Sequence, residues 1–183
     1  MIEKNILLLF AITIFISLSI KIALNLNFLE TLVYTSFFLL PSFFFFFYFS
    51  SKNGIYFKLE TWNLGLLISI LFSFLKFPVF PFIYFNAYYK KFERVLKNKL
   101  TEKEISLYIS FFIFILFSLG LLSITFLNFK FSLVAFSFIF SIMLPYKNSP
   151  GNNLFLINPL VYGIILALSF SLYLLSYYVL IFL

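Results

Sequence analysis

Apolar residues run along this chain in blocks long enough to cross a bilayer, with short polar clusters between them. The first block covers 6–24. At ~1.5 Å per residue it spans about 28 Å, enough for one crossing. Lys21 lies near its end and can snorkel to the surface, and Asn25 and Asn27 mark a turn. A second predicted helix covers 28–49 and contains Pro41. Its Phe43 to Phe47 run shows no amphipathic face. Ser50 to Gly54 read as a loop, and 55–61 as a short strand or an interfacial stretch. A third helix is predicted over 62–84, with regular hydrogen bonding broken around Pro78 and Pro81. The main polar segment is 90–104, followed by predicted helices at 105–129 and 131–144. The latter has only fourteen residues before Pro145, short for a crossing unless it is re-entrant. A polar connector leads from Tyr146 to Asn153, and a last helix covers 158–183.

This pattern predicts an all-α fold: one domain, a polytopic bundle of five or six transmembrane segments. Composition agrees, with 63% hydrophobic and 10% charged residues, far from a soluble domain. No small-residue cleavage site follows the first block, so it is expected to remain as a helix. No internal repeat suggests a transporter built from two halves.

The net charge of +7 fits basic loops facing anionic headgroups, and no nucleic-acid partner is expected. Six full crossings would group Lys21, the 90–104 segment and Lys147 on one side. Lys4, Lys52, Lys58 and Lys130 would share the other. The first group holds eight basic residues and the second four. The positive-inside rule then places loop 90–104 in the cytoplasm and the N-terminus outside the cell membrane.

Candidate chemistry is sparse. The chain has no His, Cys or Asp, which removes imidazole and thiolate ligands and leaves six glutamates. Glu30 alone lies close to a membrane segment, at a helix start where the dipole favours an acid. Glu102 and Glu104 read as a solvated pair. Lys76 is the one lysine expected at the hydrocarbon edge, snorkelling outward. Asn63 and Asn158 read as helix caps, and Tyr84, Tyr88 and Tyr89 as an interfacial belt.

The stretch Gly54-Ile-Tyr-Phe-Lys-Leu-Glu-Thr-Trp-Asn-Leu-Gly, the Phe/Pro break after it and Phe82-Ile83-Tyr84 resemble archaeal membrane metalloproteases of the site-2 protease type (M50 peptidases). So do Leu100-Thr101-Glu102 with Ile105-Ser106-Leu107, then Leu144-Pro145, Gly151 and Asn158-Pro159-Leu160-Val161-Tyr162. The resemblance covers about 41–175 and implies a site-2-protease-like bundle. It also shows what is missing. The family's zinc helix, His-Glu-x-x-His, falls on Ser42, Phe43 and Phe46, and its aspartate ligand on Pro150. The asparagine before the family's Leu-Leu-Pro falls on Ile142, and its helix-four Gly-Pro on Ile109 and Ser110. Every ligand and the base are replaced together. The resemblance therefore implies a protein without metal or cofactor and without peptidase activity. Its partners would be the lipid bilayer and transmembrane client helices. The alternatives are a small transporter or channel component, or a structural subunit of a membrane complex. Intramembrane polar residues are few for a pathway: Thr13, Ser17, Ser36, Ser69, Ser73, Ser118 and Ser171.

Overall fold

A computed structural model describes residues 2–89, 102–125, 129–146 and 149–182. Its helices are α1 (Ile2–Leu24), α2 (Phe28–Lys52), α3 (Asn63–Phe74), α4 (Glu102–Thr125), α5 (Phe129–Met143), α6 (Pro150–Ile157) and α7 (Pro159–Phe182). Strand β1 (Ile55–Thr61) precedes α3, and β2 (Ile83–Tyr89) follows it. Four helices carry stretches long and apolar enough to cross a membrane: Asn5–Leu24, Phe28–Lys52, Leu107–Thr125 and Pro159–Leu180. α3 and α5, at 12 and 15 residues, are apolar but shorter. At ~1.5 Å per residue they reach roughly 18 and 22 Å, short of a ~30 Å hydrocarbon core. The expected five or six crossing helices thus resolve into four long candidate spans and two shorter apolar helices.

Hydroxyls, more than aliphatic knobs, bring the first two helices together. Ser17 Oγ and Thr35 Oγ1 are hydrogen-bonded across the α1–α2 contact, and Thr31 Oγ1 donates to the Ser17 carbonyl at 3.3 Å. Small hydroxyl residues let backbones approach closely where lipid gives no hydrophobic drive for association. Ser123 and Ser132 do the same between α4 and α5, at 2.6 Å. α5 sits at the centre, buried at every residue from Ser132 to Ile139 and packed on α7, α4 and α2.

The all-α expectation is corrected by the sheet. β1 and β2 pair antiparallel, from Ile55 opposite Tyr89 to Thr61 opposite Ile83. Ile55, Phe57 and Leu59 face the core, while Lys58 is exposed. This is the period-two pattern of a half-buried strand. The helix predicted over 62–84 is also corrected. α3 ends at Leu75, and Lys76 takes a left-handed turn with φ of 63°. An extended stretch through Pro78 and Pro81 then returns the chain to β2. Its freed backbone groups find partners. Phe80 N–H donates to Ser141 Oγ at 2.7 Å, and Trp62 N–H to the Phe82 carbonyl at 2.7 Å. Gly65 permits the return, because a Cβ there would stand 2.2 Å from the Pro81 carbonyl oxygen.

The last helix is described as far as Phe182, and an extra helix, α6, occupies part of the expected connector. Ser149 caps it by accepting from Asn152 N–H at 3.0 Å, and Pro150 stands in its first turn. Residues 126–128 of the predicted fourth helix, and Lys147 and Leu183, lie outside the described residues.

The return through β2 overturns the expected sorting of basic residues. Tyr89 comes back beside Ile55, three residues after Lys52. At the start of α4, Tyr108 lies against Phe49 and Phe57. Asn5, in the first turns of α1, hydrogen-bonds to β1. Both described ends flanking the basic segment therefore lie with Lys52 and the start of α1, not opposite them. Residues 90–101 themselves are outside the described residues. Lys130 moves as well, because it pairs with Glu30 at the start of α2, the end near Lys21. Placing Lys4, Lys52, Lys58 and Lys130 together on one side is not compatible with this topology. Nor is placing the N-terminus opposite loop 90–104.

Candidate functional site

The positions singled out by the resemblance lie on α2 and at the start of α6. In α2 the buried residues are Thr31, Thr35, Phe38, Leu39, Ser42, Phe43, Phe46 and Ser50, a stripe at helical spacing. The run expected to lack a distinct face therefore has one. Both faces are rich in phenylalanine, so hydropathy does not reveal it. Ser42 is fully buried, and its Oγ donates to the Phe38 carbonyl one turn back at 2.7 Å. Phe43 and Phe46 are enclosed by rings from four other elements, β1, β2, α4 and α5. Phe43 and Phe112 centroids are 5.0 Å apart, and Phe46 lies 4.7 Å from Phe57, 4.8 Å from Phe112 and 5.2 Å from Phe85.

Pro150 is buried in the first turn of α6. Its neighbour Gly151 lies so close to α5 that a Cβ would fall 2.0 Å from the Met143 carbonyl oxygen. The main neighbours of α6 are α4, α7 and α5, while those of α2 are α1, α4, β1 and α5. α4 and α5 thus touch both segments. Among the described residues, no three His, Cys, Asp or Glu side chains come together in a way that could hold a metal. A serine hydroxyl committed to its own helix, two packed rings and a proline offer no donor set for zinc.

Other sequence candidates find structural partners. Glu30 Oε1 accepts from Lys130 Nζ at 2.8 Å and from Tyr34 Oη at 3.2 Å, tying α2 to α5. Asn158 Oδ1 accepts from Val161 N–H at 3.1 Å and caps α7. Asn63 is not a cap, because Trp62 takes that position. Tyr84 belongs to β2. Glu102 and Glu104 fall in the first turn of α4. Thr13, Ser17, Ser69, Ser73 and Ser118 each donate to a carbonyl one turn back in their own helix.

On the sheet's outward face, Glu60 accepts from Lys58 Nζ at 2.6 Å and from Asn86 Nδ2 at 2.7 Å. The Lys58 bond, then Tyr84, then Asn86 hold its carboxyl below the usual range, against a smaller opposing effect of burial.

Sequence reasoning missed a lateral groove of about 650 Å³ between α1, α2 and β1. Leu9, Leu40, Phe47 and Phe57 line it with apolar surface. Phe44 and Phe45 stand at its margin, largely exposed on the outside of the bundle. Pro41 contributes to the same wall, where it interrupts the α2 ladder. Asn5, Ser50 and Ser51 give the groove a polar end beside β1. The proline inside an apolar span was the available signal.

Comparison with protein-family models, curated proteins and solved structures finds no match. Helix length and composition decide the class. The chain is a multi-pass helical membrane protein, with the bilayer as its solvent.

Proposed function

We propose that this protein works by binding, without chemistry, as a non-catalytic relative of the site-2 proteases that holds transmembrane helices of client proteins. One observation carries the reading. Phenylalanine rings are packed at the positions resembling a metal site, while a lateral groove between two candidate spans remains open on the outside of the bundle. Interhelical contacts in membranes are each worth only ~0.6–2 kcal/mol, so a client is held by many packing contacts and released readily. A peptidase needs a polar, hydrated centre for a metal-activated water, and an aromatic core excludes water.

We further place the protein in the cell membrane with α1's start, Lys52 and the basic segment toward the cytoplasm. That end carries Lys52, Lys58 and the flanks of a segment with five basic residues and one acid, whereas Lys21 and Lys130 lie at the other.

Site-specific photocross-linking tests the binding face. A probe at Phe45, beside the groove, should form adducts with a co-reconstituted transmembrane helix. A probe at Phe114, exposed on α4, should not. Equal yields at the two positions would overturn the assignment.

A further inference from the structure

Resting on the reading of the lateral groove as the binding surface, we propose that an anionic phospholipid occupies it when no client is bound. One acyl chain lies along α1 and α2, and the phosphate sits at Lys52.

Size selects a single chain. The groove holds about 650 Å³. A transmembrane helix, ~10 Å across and ~30 Å long, is a cylinder of roughly 2,000 Å³. A helix can lie against this opening but not fill it. A flexible hydrocarbon chain can, and the walls formed by Leu9, Leu40, Phe47 and Phe57 suit nothing more polar. The groove opens between two spans, Asn5–Leu24 and Phe28–Lys52, so lipid is the apolar material that surrounds it.

Charge complementarity selects the headgroup. The polar end of the groove is formed by Asn5, Ser50 and Ser51. Asn5 is committed to β1, and both serine hydroxyls donate to carbonyls of their own helix, Phe47 and Tyr48. Neither serine hydroxyl is left to donate to a phosphate. Lys52 directly follows Ser51, is exposed, and makes no ion pair among the described residues. Lys58 is already held by Glu60 at 2.6 Å. Among the described side chains, Lys52 is thus the unengaged cation adjoining the groove's polar end. A client helix that lies against the opening then competes with this lipid, which makes client binding sensitive to the anionic fraction of the bilayer.

Native mass spectrometry of the full chain, released from mild detergent with added phosphatidylglycerol or phosphatidylcholine, tests this. One phosphatidylglycerol should be retained at energies that strip phosphatidylcholine. Lys52→Glu should lower its retention about tenfold or more, since each basic residue near an anionic surface contributes ~1 kcal/mol. Leu40→Trp should lower retention of both lipids by filling the groove, while Leu40→Met, which keeps the volume, should not. Equal retention of the two lipids would overturn the proposal, as would phosphatidylglycerol retention unchanged in both Lys52→Glu and Leu40→Trp. The two readings fail separately. A helix cross-linked at Phe45, with lipid retention indifferent to these variants, removes the lipid site alone. Selective lipid retention with no cross-link at Phe45 removes the client reading and leaves the lipid site standing.

Discussion

Asn5 and Phe57, 52 positions apart, are joined by a 3.0 Å hydrogen bond from the Asn5 amide nitrogen to the Phe57 carbonyl. The same side chain accepts the Leu59 N–H at 3.3 Å. One carboxamide thus meets β1's outer edge as a peptide group of a third strand would, and it pins the start of α1 to the sheet. Asn5 is almost wholly buried. Asn5→Leu leaves a buried donor and a buried acceptor unpaired, at about 1–3 kcal/mol each. A clear fall in Tm in mild detergent is expected, with faster amide exchange at Leu59. An unchanged Tm would show that the edge finds other partners.

Glu30 and Lys130 fix which ends of the helices lie together. The chain has no cysteine, so single cysteines can be introduced cleanly. With an impermeant thiol reagent, Lys52→Cys and Lys97→Cys should react from the same side, and Lys130→Cys from the opposite one. Reaction of Lys52→Cys and Lys130→Cys from one side would contradict the Glu30–Lys130 pairing, and reaction of Lys52→Cys and Lys97→Cys from opposite sides would contradict the pairing of β1 with β2. The ion pair itself is part-exposed, so removing it should cost no more than about 1 kcal/mol.

Phe45 and Phe46 are adjacent and chemically identical, yet their surroundings differ sharply. Phe46 is 1% exposed and Phe45 57%. Phe46→Ala should destabilise by about 3–5 kcal/mol through cavity formation. Phe45→Ala should change stability by less than about 0.5 kcal/mol. Thermal unfolding of the two variants side by side checks this. Similar losses would mean that the buried stripe of α2 is misassigned.

The sheet's outer face gives a pH dependence with a definite sign. The Glu60 carboxyl is held below its ordinary value mainly by Lys58. The folded state therefore binds fewer protons there than the unfolded one. That contribution is present above the ordinary carboxylate pKa and is lost as pH falls through the folded one. Protection factors of the amides in 83–86, corrected for intrinsic exchange, should fall on acidification, and Glu60→Gln should flatten that dependence. Persistence of the same acid response in Glu60→Gln would assign it elsewhere.

Much of this fold is legible in the sequence as run lengths. The four long spans follow from apolar blocks whose few charged residues, such as Lys21 and Glu30, lie near their ends. The sheet's second strand is not legible in the same way, because Ile83–Tyr89 continues an aromatic run past Pro81 and its alternation relies on Tyr and Asn. Helix α6 carried a usable signal, Ser149 followed by Pro150, the order of a cap and a first-turn proline. The polar Gly-Asn-Asn after it reads as connector and hides the signal. The sidedness of the basic residues was misjudged for one physical reason. Parity counting assumes that each block crosses, whereas the chain after α3 turns at Lys76 and comes back. At the candidate site, the absence of side chains able to ligate a metal at Ser42, Phe43, Phe46 and Pro150 is legible in the sequence. The groove is not, because it depends on how α1, α2 and β1 meet.

Binding without cleavage is tested most directly on purified protein reconstituted with a transmembrane helix that carries a different fluorophore at each end, with zinc supplied. Saturable energy transfer from a label near the groove, with both fluorophores remaining on one peptide and no zinc retained after dialysis, is the expected result. Separation of the two fluorophores, stopped by a chelator and accompanied by one zinc per chain, would contradict it.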